Sequence, residues 1–465
     1  MSRNAWETRA ALVEDGEVAE IEIEHASAHA ERPGDVYLGR VRRHVPGLDA
    51  AFLDLGSDRP AYLPLPKDER AALGPIRKGQ ALLVQVAKAP LGGKGSRLTA
   101  KVVLPSRRWV LTSGPRTAKV SRKIDDPRER ERLTRLGERA LPEGAGLTAR
   151  TAAQGVPDAP LAEEAAELVR VWTGIVETAR TAAPPMLLRA ETGLATRWLR
   201  DRLDASVERV IVDDAQLASE AGQWIAAMAL GDRCAVEIET GDPFARWGGD
   251  QALRSALAPA VRLPSGGHVR IDKTQALIAI DVDTGRFVGS RDLETTVLRT
   301  NLEAVAAIAR QVRLRNLGGI LVIDFIDMTR AENRERVLDA LRAGFARDAA
   351  PTAILPMNSF GLVHLTRKRT RPDLAEQLES PCPHCQGSGR VAAAVAVGMR
   401  VLRALSARAS EEVRTVLVVR APPHVVDWLR DDGRQRLGQL ERSLGRTIVV
   451  RADGSLGDGS FAIEP

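Results

Sequence analysis

Cysteine is nearly absent, with three residues in a chain of 465. That excludes the disulfide-dense scaffold of a small secreted domain and fits a reducing compartment, so a cytoplasmic location is expected. Aromatic residues are scarce as well, at 3% with two tyrosines, so a Phe or Tyr in a distinctive setting is informative. No stretch approaches the roughly 18 consecutive apolar residues of a membrane span. The opening MSRNAWETRA lacks the apolar segment of a secretory signal. No repeat and no low-complexity tail is visible. What is present is ordinary for a folded protein, 44% hydrophobic and 28% charged, which excludes wholesale disorder. The formal charge of +6 is a mild basic excess, and it points to an anionic partner only where the basic residues cluster. At about 150 residues per domain the length corresponds to two to four domains.

Residues 5–34 read as two short strands around Asp15-Gly16, a hairpin signal, too small to stand alone and expected to join a later sheet. From Asp35 to about Pro105 five strand-like segments (DVYLGRVRRHV, AAFLDLG, RPAYLPL, ALLVQVAKA, RLTAKVVLP) predict a small closed barrel of OB type. Residues 106–200 mix Arg-rich loops with helix, including a long amphipathic segment ended by Pro184-Pro185. Residues 268–380 alternate strand and helix, which predicts a largely parallel sheet with helical cover. The last 75 residues or so read as a small αβ unit with strands TVLVV and TIVVRA.

Four groups of residues could carry chemistry. The strand ALIAID ends at Asp281, with Asp283 on the same side by period-two alternation, and GILVID ends at Asp324, followed by Asp327. In a right-handed βαβ unit both ends lie at one sheet edge, where open α/β sheets place ligands. Carboxylates converging there call for a hard divalent cation, Mg²⁺ or Mn²⁺, suited to phosphodiester hydrolysis. The plainer alternative is helix capping, or pairing with Arg286 or Arg330. On the barrel, Phe52 and Tyr62 lie on adjacent strands among Arg40, Arg42, Arg43, Lys88, Lys94 and Arg97, a setting for stacking single-stranded nucleic acid. The alternative places Phe52 in the core. Cys382-Pro-His-Cys385 is half of a tetrahedral zinc site, which a second chain could complete; a redox pair is the other reading. The basic run Arg367, Lys368, Arg369, Arg371 is either a solvated face or a phosphate attractor beside the carboxylates.

In this order, DVYLGRV, LDAAFLDLG, AYLPL, IAIDVDTGR, NLEAVAAIARQVRLRNLGGILVIDFIDM, LTRKRTRPDL and CPHCQGSG resemble the ribonuclease E/G family of bacterial endoribonucleases, over roughly residues 35–390. The resemblance implies a multidomain α/β and β fold. Residues 1–34 with 201–265 would form an RNase H-like subdomain without its own catalysis, 35–105 an S1-type OB domain, and 106–200 a 5′-sensor region. Residues 266–380 would be a DNase I-like catalytic domain, 381–390 a zinc link, and 391–465 a small αβ oligomerisation domain. Asp281 and Asp324 match the Mg²⁺-binding aspartates. Asp283 stands where the family commonly has Asn. Phe52, Tyr62 and Lys94 match the RNA-stacking groove. Arg150, Thr151 and Val120 match the pocket for a 5′-monophosphate, and Cys382 and Cys385 match an inter-subunit zinc link.

The function implied is Mg²⁺-dependent cleavage of single-stranded RNA in rRNA and tRNA processing and mRNA decay. It would favour 5′-monophosphorylated substrates and leave a 3′-hydroxyl and a 5′-phosphate. A homodimer sharing zinc, or a homotetramer, is expected, with neither a membrane span nor the long scaffold tail of some members. The competing readings are a non-catalytic S1-type RNA-binding protein with a decayed nuclease domain, and a hydrolase of small phosphate esters.

Overall fold

The computed structural model describes residues 1–25, 31–90, 95–228, 230–231, 233–285, 293–385, 387–407, 416–457 and 459–464. They form two compact units, Met1–Leu374 and Ala375–Pro465. No helix among them is long and apolar enough to cross a membrane.

The first unit opens with the expected hairpin. Strands Glu7–Glu14 and Glu17–His25 pair antiparallel about Asp15 and Gly16, whose φ values of 53° and 81° suit a tight primed turn. With Ser2–Arg3 they make a three-stranded sheet of their own rather than joining a later one. Side chains tie it to the rest of the unit instead. Glu20 is only 3% exposed and accepts from Arg202 and Arg313. Arg313 also holds Glu14, and Arg371 holds Glu22. A carboxylate buried that deeply survives because two guanidinium groups face it.

Strands Val36–Val45, Ala50–Asp54, Ala61–Pro64, Arg97–Thr99 and Ala81–Lys88 pair in that spatial order. The first and last also pair, which closes a five-stranded barrel. Its interior is filled by Val41, Ala51, Leu53, Leu63, Val84, Val86 and Leu98. Met186–Arg189 adds to the outside of the first strand. Val103–Pro105, read with the barrel from sequence, instead pairs with Trp109–Ser113 in a second, four-stranded sheet that includes Ala118–Val120 and Ala145–Ala149. Helices Pro127–Ala140 and Asp158–Thr181 pack Leu133, Leu161 and Trp172 against its fully buried Trp109. Strands Arg209–Val212 and Ala235–Ile238 form a short parallel pair, with buried Cys234 beside it.

The sheet that carries the carboxylates has six strands, in the order Ala260–Arg262, His268–Lys273, Ile278–Asp283, Gly319–Asp324, Leu362–Arg367, Thr352–Ile354. Among the described residues only Ile278–Asp283 and Gly319–Asp324 run parallel in this sheet, and the other neighbours are antiparallel. The expectation of a largely parallel sheet is therefore corrected. Leu362–Arg367 is a further strand, and it lies between Gly319–Asp324 and Thr352–Ile354, which follow one another in the chain. One face is covered by helices Leu293–Leu314 and Ala331–Gly344 through Ile280, Val282, Leu321, Ile323, Val305, Ile308 and Leu338. The other exposes Arg270, Ala279, Asp281, Ile320 and Asp324.

The second unit is the small αβ unit expected, a three-stranded sheet with Val416–Ala421 central between parallel Thr447–Ala452 and antiparallel Ala462–Glu464. Helices Ala394–Ala407, Pro423–Arg430 and Arg434–Leu444 cover it.

Candidate active site

Asp281 and Asp324 are register partners across the one parallel step of the sheet. Both strands alternate buried and exposed residues, with Ile280, Val282 and Ile323 in the core. Their final carboxylates therefore share the open face. Together with Asp283, Thr284, Phe325, Ile326 and Asp327 they line a depression of about 370 Å³, and among the described residues its lining holds no basic side chain. Partial burial and the charges of Asp281 and Asp327 hold the Asp324 carboxyl above the usual carboxylate range.

Asp283 is on the same face, and one of its oxygens accepts from the Gly285 N–H at 2.7 Å. The other lies 4.0 Å from Nε2 of His268, its cross-strand partner.

Several residues that build this edge were not legible as functional. Asn301, fully buried in helix Leu293–Leu314, accepts from the Ile326 N–H and donates to the Ile326 carbonyl, which pins the loop between Asp324 and Asp327. Glu294 accepts from the Thr329 hydroxyl, the Thr329 and Arg330 N–H groups and Asn333, fixing the start of the next helix. These bonds pull its carboxyl down to about 2. Gly267 must lack a side chain, since a Cβ there would stand 2.4 Å from the Asp283 carbonyl oxygen. A buried Asn on an otherwise apolar helix face and the doubled glycine of LPSGG were the available signals.

The donor set fits a hard cation with few protein ligands. Mg²⁺ is usually held by one or two carboxylates, with waters and substrate phosphates completing its shell. Among the described residues no group of three or more His, Cys, Asp or Glu is arranged as an all-protein cage.

The basic run lies elsewhere. Leu362 is the register partner of Asp324, whereas Arg367 is opposite Gly319, roughly 16 Å away along the strand. Arg367 is buried against Asp348, Arg369 donates to the Gly318 carbonyl, and Arg371 holds Glu22. The reading of this run as a phosphate attractor beside the carboxylates is thus corrected for these three arginines, which hold the far edge of the sheet.

On the barrel, Phe52 and Tyr62 are direct cross-strand partners with ring centroids 5.8 Å apart. Their chain neighbours Ala51, Leu53, Ala61 and Leu63 fill the interior, so both rings lie on the outer surface, partly exposed. The core alternative for Phe52 fails. The row continues on both sides, with Arg43 opposite Phe52, Arg97 opposite Tyr62 and Lys88 opposite Arg97. All three basic residues are exposed. Lys94 lies outside the described residues.

Arg150 and Thr151 follow strand Ala145–Ala149, and Val120 is the parallel partner of Ala149. The structure thus brings the three together. The Thr151 hydroxyl is 3.2 Å from that of Ser121. Arg150 donates to the Ser106 carbonyl at 2.7 Å and to Asp201 at 3.1 Å. Burial pushes the Asp201 carboxyl up, but Arg200 and Arg150 outweigh it and hold the group below its ordinary range. Val120 is buried.

In the second unit Cys382 and Cys385 are free thiols. Backbone N–H groups of Gly387 and Gly389, with Cys382, draw the Cys385 thiol below its ordinary pKa. Both glycines have positive φ, 90° and 67°, which folds the loop back over the sulfur. The pair precedes helix Ala394–Ala407 by several residues and follows no strand, unlike a redox C-x-x-C at a helix start.

Comparison with known proteins identifies the family. Residues 103–370 match the model of the ribonuclease E/G family, and 381–465 match the RNase E/G thioredoxin-like domain. The chain is 38% identical to ribonuclease G of Escherichia coli K12 over 96% of its own length and 95% of the relative's. It is 35% identical to ribonuclease G of Haemophilus influenzae over the same shares. Ribonuclease E of Escherichia coli K12 is 33% identical over 96% of this chain but 44% of the longer relative. The chain belongs to the ribonuclease E/G family.

Proposed function

We propose that this endoribonuclease hydrolyses single-stranded RNA at the paired strand ends, with Asp281 and Asp324 holding Mg²⁺ or Mn²⁺, and leaves a 3′-hydroxyl and a 5′-phosphate. The observation that carries the reading is the register match of two carboxylates on an open sheet face, one of them held above its ordinary pKa. Repulsion of that kind favours a bound cation. When bound, such a cation lowers the pKa of its water and offsets charge on the reacting phosphodiester. Asn301 keeps the loop after Asp324 in place, and Asp283 holds the turn after Asp281 through the Gly285 N–H.

The outer barrel row would bind the substrate, with bases stacking on Phe52 and Tyr62 and phosphates meeting Arg43, Arg97 and Lys88. Lys94 is assigned to the same groove on the family pattern. Thr151 and Arg150, backed by Val120, would receive a 5′-monophosphate; a hydroxyl and a guanidinium suit that dianion. Cys382 and Cys385 of two chains would share one tetrahedral Zn²⁺, making a homodimer, with the small αβ unit free to extend it to a tetramer. The DNase I-like part is assigned to residues 266–380, which hold five of the six strands of the sheet; the edge strand Ala260–Arg262 precedes that boundary.

The test is Asp281→Asn and Asp324→Asn on a 5′-monophosphorylated single-stranded RNA across a Mg²⁺ titration. Cleavage should vanish while RNA affinity measured without divalent ions stays near wild type. Normal turnover by either variant at moderate Mg²⁺ would remove the assignment.

A further inference from the structure

The open face of the six-stranded sheet carries a cation that the site described above does not use. Arg270, on strand His268–Lys273, is the register partner of Asp281. Val269 and Ile271 on either side of it are buried and Arg270 is exposed. Arg270, Asp281 and Asp324 therefore form one row across three adjacent strands, on one face. Neighbouring strands are about 4.8 Å apart, so anything held at Asp281 is within reach of this side chain.

An Arg opposite an Asp ordinarily closes an ion pair. Here, among the described residues, Arg270 has no ion pair and no side-chain hydrogen bond, either with Asp281 or with Asp272 two residues on. Its counterparts at the far edge, Arg367, Arg369 and Arg371, are all engaged. A cation between Asp281 and Asp324 would repel the guanidinium, leaving it to an anion. The anion the site must accept is the RNA backbone, and it approaches an edge that also carries Asp283 and Asp327.

We infer that Arg270 is a phosphate-binding residue of the active site. Its planar fork grips a backbone phosphate beside the scissile one and offsets the acidic edge. This rests on the reading of Asp281 and Asp324 as the place of cleavage.

The experiment compares wild type, Arg270→Gln, Arg270→Lys and Asp281→Asn on a short single-stranded RNA, and on the same RNA with one uncharged methylphosphonate at successive positions. Arg270→Gln should lower kcat/KM roughly ten- to a hundredfold, the worth of a charge-assisted hydrogen bond. It should also reduce the slope of log affinity against log salt by about 0.7. Arg270→Lys should recover part of the loss. One methylphosphonate next to the scissile bond should impair wild type and leave Arg270→Gln no worse. A side chain with a purely structural role would not produce that position-specific insensitivity. Should Arg270→Gln melt early, the same comparison is made with Arg270→Lys, which keeps the charge and loses the fork. Wild-type kcat/KM and salt slope in Arg270→Gln, or equal sensitivity of every enzyme to every neutralised phosphate, would overturn the inference. If Asp281→Asn is inactive while Arg270→Gln is unchanged, this inference alone fails. If Asp281→Asn cuts normally, the site reading fails first.

Discussion

Phe52→Ala separates RNA stacking from barrel packing, because the barrel supplies its own control one residue away. Phe52 faces outward with its ring paired to Tyr62 at 5.8 Å, whereas Leu53 is fully buried in the barrel interior. Truncating Leu53 should cost about 2–5 kcal/mol of stability, the usual loss for a buried leucine. Truncating Phe52 removes a ring that is only partly covered and one tilted aromatic contact worth about 0.5–1.5 kcal/mol. Its stability cost should therefore stay well below that of Leu53→Ala. The order reverses for RNA. A stacked base is worth about 1–3 kcal/mol, so Phe52→Ala should weaken binding by roughly five- to a hundredfold or slightly more. Tyr62→Ala should do the same, and the double variant should fall short of the sum, since adjacent rings share a ligand. Binding is read by fluorescence anisotropy with a short labelled RNA in divalent-free buffer, and stability by urea melts of each variant. If Phe52→Ala binds RNA like wild type, or unfolds as readily as Leu53→Ala, the stacking assignment is wrong.

Arg150→Lys with Thr151→Val should erase most of the preference for a 5′-monophosphate over a 5′-hydroxyl while leaving cleavage of the 5′-hydroxyl RNA intact; an unchanged ratio of the two rates would rule out the pocket. Glu294, drawn down to about 2 by its bonds to Thr329, Asn333 and Arg330, stabilises the fold above its unfolded pKa of about 4.3. That contribution is lost as pH falls from there through about 2, so Glu294→Gln should melt below wild type near neutrality and the gap should close in acid. A gap independent of pH would argue against the charge. Wild-type protein should carry about 0.5 zinc per chain in a dimer, and Cys382→Ser should lose both metal and mass by light scattering; a zinc-free dimer would refute the shared site.

The barrel was legible because five short strand-like segments follow one another between turn signals, whereas the alternation around Phe52 is ambiguous in sequence and only the fold puts its ring outside, opposite Tyr62. The carboxylate pair was legible as two apolar runs each ending in Asp. The strand Leu362–Arg367 was not, because its basic continuation looks like a solvated run. Only the fold reveals that Arg367 is buried on Asp348. Nor could sequence show that Asn301 reaches Ile326 or that Glu294 reaches Thr329, since such bonds depend on how helix and loop meet in space. The place of Arg270 opposite Asp281 depends on an antiparallel neighbour that the expected parallel sheet would not have supplied.

The N-terminal sheet has a consequence for synthesis. Glu20 waits for Arg313, 293 residues later, and Glu22 for Arg371, 349 residues later. At roughly 5–20 residues per second, a ribosome needs about 15–70 s to deliver those partners. During that interval the hairpin can form its ladder, but Glu20 cannot be buried without its full complement of guanidinium groups. The first residues made should thus be among the last to reach their final environment. A nascent chain halted before residue 371 should leave these strands open to protease, while the barrel that follows them, closed by pairings within residues 36–99, is already resistant.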